Sequence, residues 1–281
     1  MARKLKNEEG GLKIAMLIAY DGSKFHGFAR QPNARTIGGE ILVALREIGI
    51  SPAKIVYMSR TDRGVHAVKQ LIVLKAKLTV KIAMELNYIL PECIRVYAVS
   101  RVKWNFHPQR SVTSKTYLYV ASDLGEDWKR IERVIEYLNA KEHEFSALIK
   151  RGRSLSQKTK MKVKIRAKEE NGFQFFFVTG KYFLWEQVRR TVTLIKAYGA
   201  RRLTWDEVQR VLLGEYLSWG IAPAPPEGLI LWDAKIRGVS SWDYIIPENV
   251  IRRWIIDIAK KYAIVSANEW VFPPPRKIKV R

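Results

Sequence analysis

The sequence predicts an α+β fold that opens with a β-α-β-β-α-β unit in ferredoxin-like order. Three observations carry this. In the first hundred residues, apolar strand-type runs alternate with helix-forming segments. Residues 162–168, Lys-Val-Lys-Ile-Arg-Ala-Lys, alternate strictly and are followed by Asn171-Gly172, the dipeptide of a type I′ hairpin turn. Leu184, Val188, Val192 and Ile195 recur on one face of a helical segment. At 281 residues the chain makes one large domain or two halves of ordinary size. Its 47% apolar content is enough to bury a sizeable core.

Residues 1–11 read as a flexible basic tail. Residues 14–20 are almost wholly apolar, as a central strand requires, and Asp21-Gly22-Ser23 ends them. Residues 36–45 read as a helix, although Gly38 and Gly39 weaken its start. Strands are expected at 55–58, 71–74 and 94–99, with a short helix at 82–90. Next come a strand at 116–120, helices at 128–139 and 143–150, and a hairpin of 162–168 with 173–178. Residues 184–198 form a helix with Gly199 as its C-terminal cap. Thr204-Trp205-Asp206-Glu207 is a capping box that starts another helix. A strand at 229–232, an amphipathic basic helix at 250–262 and an extended basic tail at 273–281 complete the chain. The expected organisation is a tail at 1–11, an N-terminal half at 12–108, a C-terminal half at 109–236 and a basic extension at 237–281. No repeat is visible at the sequence level.

Lys and Arg number 50 against 27 Asp and Glu, a net charge of +23 and the footprint of a nucleic-acid binder. A single cysteine, Cys93, excludes a disulfide framework and a cysteine-based zinc site. His26, His66, His107 and His143 are scattered without metal-ligand spacing, so no metal is expected. The basic N-terminus leads into Asn7-Glu8-Glu9-Gly10-Gly11 and not into an apolar stretch, so no signal peptide is expected. No run of about 18 apolar residues exists. A cytoplasmic protein with no membrane partner is the expectation. No helix-turn-helix, zinc-finger or zipper pattern supports a DNA-binding protein.

Three constellations could carry chemistry. In Ser59-Arg60-Thr61-Asp62-Arg63-Gly64-Val65-His66-Ala67, one carboxylate stands between two arginines. Such neighbours favour its ionised form, and the glycine allows a turn or a close approach. On the residues alone this is either a presented acid or a surface loop with a local ion pair. In Lys115-Thr116-Tyr117-Leu118-Tyr119, alternation places Lys115, Tyr117 and Tyr119 on one face. That face is either a base-stacking platform or tyrosines packed over a sheet. In Phe183-Leu184-Trp185-Glu186-Gln187-Val188-Arg189-Arg190, the arginines lie just off the apolar face. They point to solvent, or one turns inward to an anionic partner.

Together these segments resemble, in order, the TruA-type tRNA pseudouridine synthases. The first is similar to that family's catalytic loop, G/S-R-T-D-x-G-V-H-A. The second is similar to R-x-Y-x-Y and the third to F-L-x-x-x-V-R. Tyr20-Asp21-Gly22-Ser23-Lys24-Phe25-His26-Gly27-Phe28 resembles the opening Y-D-G-x-x-F/Y-x-G-W/F, and Pro226-Glu227-Gly228-Leu229 the late P/A-x-G-L. The resemblance covers roughly residues 14–236. Ser59 stands for the commoner Gly, Lys115 for Arg, and Gln187 and Thr193 for Met and Gly. The pattern is closer to an archaeal or eukaryotic branch.

The resemblance implies two ferredoxin-like halves joined into a mixed, mostly antiparallel central sheet, with an active cleft between them. It implies isomerisation of uridine to pseudouridine at positions 38–40 of the tRNA anticodon stem-loop, by a homodimer. The N1–C1′ bond breaks, the uracil rotates, and C5 joins C1′. Nothing is oxidised and no group is transferred, so no cofactor is implied. Asp62 falls at the catalytic carboxylate, to attack C1′ or to remove the ribose 2′ proton. Arg189 falls at its charge partner, Tyr117 at the residue stacked on the target uracil, and Arg60 at the space vacated by the flipped base or the flanking phosphate. Arg63, His66 and Lys115 complete the expected RNA contacts. Lys162, Lys164, Arg166 and Lys168 hold the tRNA backbone or form a solvated outer sheet face. The rival is a non-catalytic RNA-binding or chaperone protein on the same fold, which would be expected to carry a broken acid loop.

Overall fold

Residues 14–20 do form a central strand. In the computed structural model, which describes residues 13–50, 55–75, 80–150 and 158–270, β1 spans Lys13–Tyr20 and is buried from Ile14 onward. A strand with both faces covered needs a continuous apolar run rather than alternation. The expected tails at 1–11 and 273–281 lie outside the described residues. The chain divides into two compact units. One comprises Met1–Lys115 with Ile230–Ile258, the other Thr116–Leu229 with Ala259–Arg281.

In the first unit, β1 is followed by α1 (Ile37–Glu47), β2 (Val56–Tyr57), β3 (His66–Lys75), α2 (Val80–Ile89), β4 (Ile94–Val102) and the single turn α3 (Pro108–Ser111). This is the predicted β-α-β-β-α-β order. Thr36 caps α1 by accepting from the Gly39 N–H. Gly38 is there for packing: a Cβ would stand 2.8 Å from the Phe28 carbonyl oxygen. β1 pairs antiparallel with β3 on one side and β4 on the other, Tyr20 lying opposite Ala67 and Ile94. The open side of β3 is shared. β2 pairs with its far end at Val73, and β10 (Leu229–Ile236) joins its start in parallel, with Ile230 opposite His66. β11 (Asp243–Tyr244) adds to β4. Two boundaries moved. The strand expected at 55–58 shrinks to two residues, and the one expected at 71–74 begins five residues earlier, inside the loop motif.

In the second unit, β9 (Phe173–Gly180) lies between β5 (Val112–Ser122) and β8 (Lys164–Glu170). The β8–β9 turn has Asn171 at φ 53° and Gly172 at φ 75°, both positive as a type I′ turn requires. Helix α4 (Trp128–Ala140) buries Ile131, Val134, Ile135 and Leu138. It packs on α5 (Gln187–Gly199) at Gly199, where a Cβ would stand 2.8 Å from Ile131 Cγ1. Gly199 is therefore a packing glycine and not the expected cap. The helix runs through it, and the left-handed residue is Arg201, at φ 58°. Helix α6 (Trp205–Leu212) has the predicted capping box, Thr204 and Glu207 bonding reciprocally.

Three further expectations are corrected. The helix expected at 143–150 is a short strand, β6 (His143–Glu144), paired with β7 (Lys160–Met161), and a 3₁₀ turn at Ser146–Leu148. The Phe145 N–H goes to the Thr159 carbonyl, and the Glu144 carboxylate takes the Ser146 N–H at 3.0 Å. The backbone donors are used elsewhere, so no helix forms. Helix α5 starts at Gln187 and not at 184, because Glu186 sits at φ 61°. The basic helix is longer than expected, α7 (Glu248–Val265), with Ile251, Ile255, Ala259 and Ala263 buried at four-residue spacing.

Candidate active site

The motif loop of the first unit links β2 to β3 and is held from three directions. Behind it, Tyr20 Oη and Thr61 Oγ1 are 2.7 Å apart and buried. The Gln70 side chain takes the Ser59 N–H at 3.2 Å and donates to the Ser59 carbonyl at 2.7 Å, acting as a surrogate strand. Beside it, the segment after β1 lies against the loop backbone. The Phe28 N–H donates to the Thr61 carbonyl at 3.1 Å. A Cβ on Gly22 would stand 2.0 Å from the Val65 oxygen, and one on Gly27, at φ 90°, 2.7 Å from the Thr61 oxygen. Only glycine lets the two segments touch at these points. The Asp62 carbonyl closes a turn by accepting from the Val65 N–H at 3.2 Å, with Gly64 at φ 81°. The first and second motifs in chain order are thus two sides of one object.

This clamp sets the side chains. Asp62 is half-buried on fixed backbone, while Arg60 and Arg63 are exposed. Lys115, at the start of the second strand motif, is half-buried and donates to Ser59 Oγ at 3.1 Å. Burial pulls its ammonium below the ordinary lysine value. The two departures from the family pattern, Ser59 and Lys115, therefore meet each other. His66 is fully buried, so its ring faces protein and not solvent, unlike the RNA contact expected of it. Its Nδ1 stands 3.0 Å from the Gly22 nitrogen and 3.1 Å from Asp21 Oδ1. One nitrogen cannot serve both. It accepts from the Gly22 N–H when unprotonated and donates to Asp21 when it carries the proton. Burial raises the Asp21 carboxyl, but hydrogen bonds from His66 and the Ser23 N–H outweigh it and lower it to about 2. The Ser23 N–H donates at 2.9 Å.

In the second unit, Tyr117 on β5 is buried and packs edge-on to Phe183, with ring centroids 5.2 Å apart. Tyr119 is core and not a stacking platform. It is 1% exposed, its hydroxyl donates to the Pro225 carbonyl at 2.9 Å, and burial raises its pKa. Gly228 of the late motif lies against it, where a Cβ would stand 2.6 Å from Tyr119 Cζ. Arg189 is half-buried, and its Nε–H donates to the Ala224 carbonyl, tying α5 to the segment before that motif. Arg190 forms an ion pair with Glu186 at 2.6 Å and donates to the Ile221 carbonyl. The left-handed Glu186 thus aims its carboxylate along the first turn of α5.

Deeper in this unit Lys196 is fully buried. Its ammonium stands 2.6 Å from Glu126 Oε1, an ionic contact whose angle falls outside hydrogen-bond geometry. It donates to Gln174 Oε1 at 2.8 Å and to the Ser122 carbonyl at 3.1 Å. Nothing in the sequence marked this network. A lysine between Ile195 and Ala197 reads as a solvent position. Among the described residues, no group of three or more His, Cys, Asp or Glu could hold a metal ion, and no helix is long and apolar enough to cross a membrane.

Of the expected site residues, Arg60, Asp62, Arg63, His66 and Lys115 lie in the first unit, and Tyr117 and Arg189 in the second. Gln70, Gly22 and Gly27 support the loop and were not singled out as site residues. A glutamine inside an apolar strand run is the signal that could have found the first.

The chain is similar to named proteins over almost its whole length. A family profile described as tRNA pseudouridine synthase matches residues 122–235. The tRNA pseudouridine synthase A of Pyrococcus furiosus is 35% identical over 259 residues, covering 91% of this chain and 96% of that protein. The protein of the same name from Thermococcus kodakarensis is 36% identical over 260 residues, covering 90% and 94%. That of Pyrococcus horikoshii is 33% identical over 271 residues, covering 95% and 100%.

Proposed function

Because the chain belongs to the tRNA pseudouridine synthase family, and matches archaeal members over nine-tenths or more of its length, we propose that Asp62 carries out uridine isomerisation in the anticodon stem-loop of tRNA. The chain is a pseudouridine synthase, an RNA-binding isomerase that acts on tRNA uridine. Its finer target is positions 38–40. One observation supports Asp62 most: its loop is clamped by glycines that admit no side chain, so the carboxylate is presented from a fixed backbone. Preorganisation of this kind lets a single acid do the work of a larger group.

Asp62 acts ionised, on C1′ or on the 2′ proton, and Arg189 is its charge partner. Tyr117 packs against the target uracil. Arg60, exposed on the same loop, fills the space the flipped base leaves or binds the flanking phosphate, and Arg63 adds a second cation to the backbone. Lys115 and His66 serve by holding the loop through Ser59 and Gly22. The protein works as a cytoplasmic homodimer without a cofactor.

The test is to incubate the protein with unmodified tRNA transcripts and map pseudouridine by site. Product confined to positions 38–40 supports the reading; product elsewhere removes the finer target. A double-mutant cycle of Asp62→Asn with Arg189→Met tests the pair. Coupling below about 0.5 kcal/mol removes Arg189 as its partner.

A further inference from the structure

The outer face of the β8–β9 hairpin carries charge that no described carboxylate neutralises in full. Lys164, Arg166 and Lys168 on β8, with Lys162 just before it, alternate with the buried Val163 and Ile165 and the half-buried Ala167. The fourth cation is satisfied, since Lys168 pairs with Glu170 and its ammonium lies 5.1 Å from the centre of the Phe175 ring. The first three are exposed, and none has a carboxylate within ion-pair distance among the described residues. Their cross-strand neighbours carry no charge: Thr179 faces Lys164 and Phe177 faces Arg166. Opposite charges across a strand pair stabilise a sheet by roughly 0.2–1 kcal/mol each. This face forgoes that gain and sets like charges side by side, a repulsion that an anionic partner would relieve.

Spacing narrows the partner. Lys164 and Arg166, alternate residues on β8, are about 6.8 Å apart. A nucleic acid backbone carries one negative charge per nucleotide, so a row of cations at this interval faces a row of phosphates and not a single anion. A rival explanation is that, among the described residues, β8 has a strand on one side only, and exposed lysines on such an edge prevent strand-to-strand aggregation. Edge protection needs charge of either sign, whereas phosphate binding needs positive charge. We propose that Lys162, Lys164 and Arg166 form a track that holds the phosphate backbone of the substrate tRNA. This rests on the reading of the chain as a tRNA pseudouridine synthase.

The experiment measures tRNA affinity across a range of salt for wild type, Lys164→Gln/Arg166→Gln and Lys164→Glu/Arg166→Glu. Two lost phosphate contacts should flatten the log–log salt slope by about 1.5 in the Gln protein and weaken binding about tenfold at low salt. The Glu protein should bind more weakly still. Lys162→Gln alone should flatten the slope by about 0.8. If the Glu protein binds with the wild-type slope and stays soluble while the Gln protein aggregates, the face is edge protection and the track is wrong. Unchanged slopes in all variants also overturn it. The reading beneath it fails separately, if wild type forms no pseudouridine in the same tRNA.

Discussion

The two units support their motifs in opposite ways. In the first, the motif loop is held by backbone against backbone: Gly22 and Gly27 bring a neighbouring segment into contact, and Tyr20, Thr61 and Gln70 close it with neutral hydrogen bonds. In the second, the motif helix α5 is held by charge: Arg190 to Glu186, Arg189 to the Ala224 carbonyl, and Lys196 buried against Glu126. A backbone clamp fixes where an acid stands without changing its charge environment. Charged anchors commit a helix strongly but leave a large penalty if one partner is lost. The loop is built for position and the helix for permanence.

Four substitutions break or sharpen this contrast. Lys196→Met should be the most damaging, about 3–5 kcal/mol by chemical denaturation, because it leaves the buried Glu126 uncompensated. Lys196→Met with Glu126→Leu should recover most of that. A double variant as unstable as the single one would show that packing, not charge, holds α5. Gly22→Ala comes next. A Cβ 2.0 Å from the Val65 oxygen forces the loop backbone aside, costing about 3 kcal/mol and most of the activity. Retention of wild-type turnover would mean the clamp is dispensable.

Ser59→Gly should cost about 1–2 kcal/mol, since it takes the acceptor from a half-buried ammonium. Lys115→Arg in that background tests whether the two departures compensate each other, read by thermal melting. The smallest effect is at Asp21. Its carboxyl is held at about 2, below its ordinary 3.8. It therefore contributes stability above pH 3.8 that is lost as pH falls through about 2. With allowance for solvent contact this amounts to about 1 kcal/mol. Asp21→Asn should remove that acid dependence, and an unchanged acid-unfolding profile would contradict it.

Local pattern was enough to find β1, α1, the β8–β9 hairpin and the capping box of α6, because each depends on residues a few positions apart. The loop motif stands out for the same reason, and its resemblance to a family loop points to Asp62. What was illegible depends on distant partners. Gly199 reads as a cap until Ile131 is seen against it. Residues 143–150 read as helix until Thr159 takes the Phe145 N–H. His66 reads as an RNA contact until Gly22 and Asp21 enclose it. Lys196 reads as a surface lysine, since periodicity carries no sign of Glu126, seventy residues away. Glu186 shows a second kind of miss: a left-handed residue that is not glycine, at a position no local pattern marks.

The central claim is that Asp62 is the chemical group and everything around it is support. Asp62→Asn preserves size and removes charge. Single-turnover measurement of pseudouridine in tRNA, with tRNA affinity measured on the same protein, tests it directly. The account predicts a rate at least about a thousandfold below wild type, with the dissociation constant within about threefold. Pseudouridine formed at a rate close to that of wild type would contradict it.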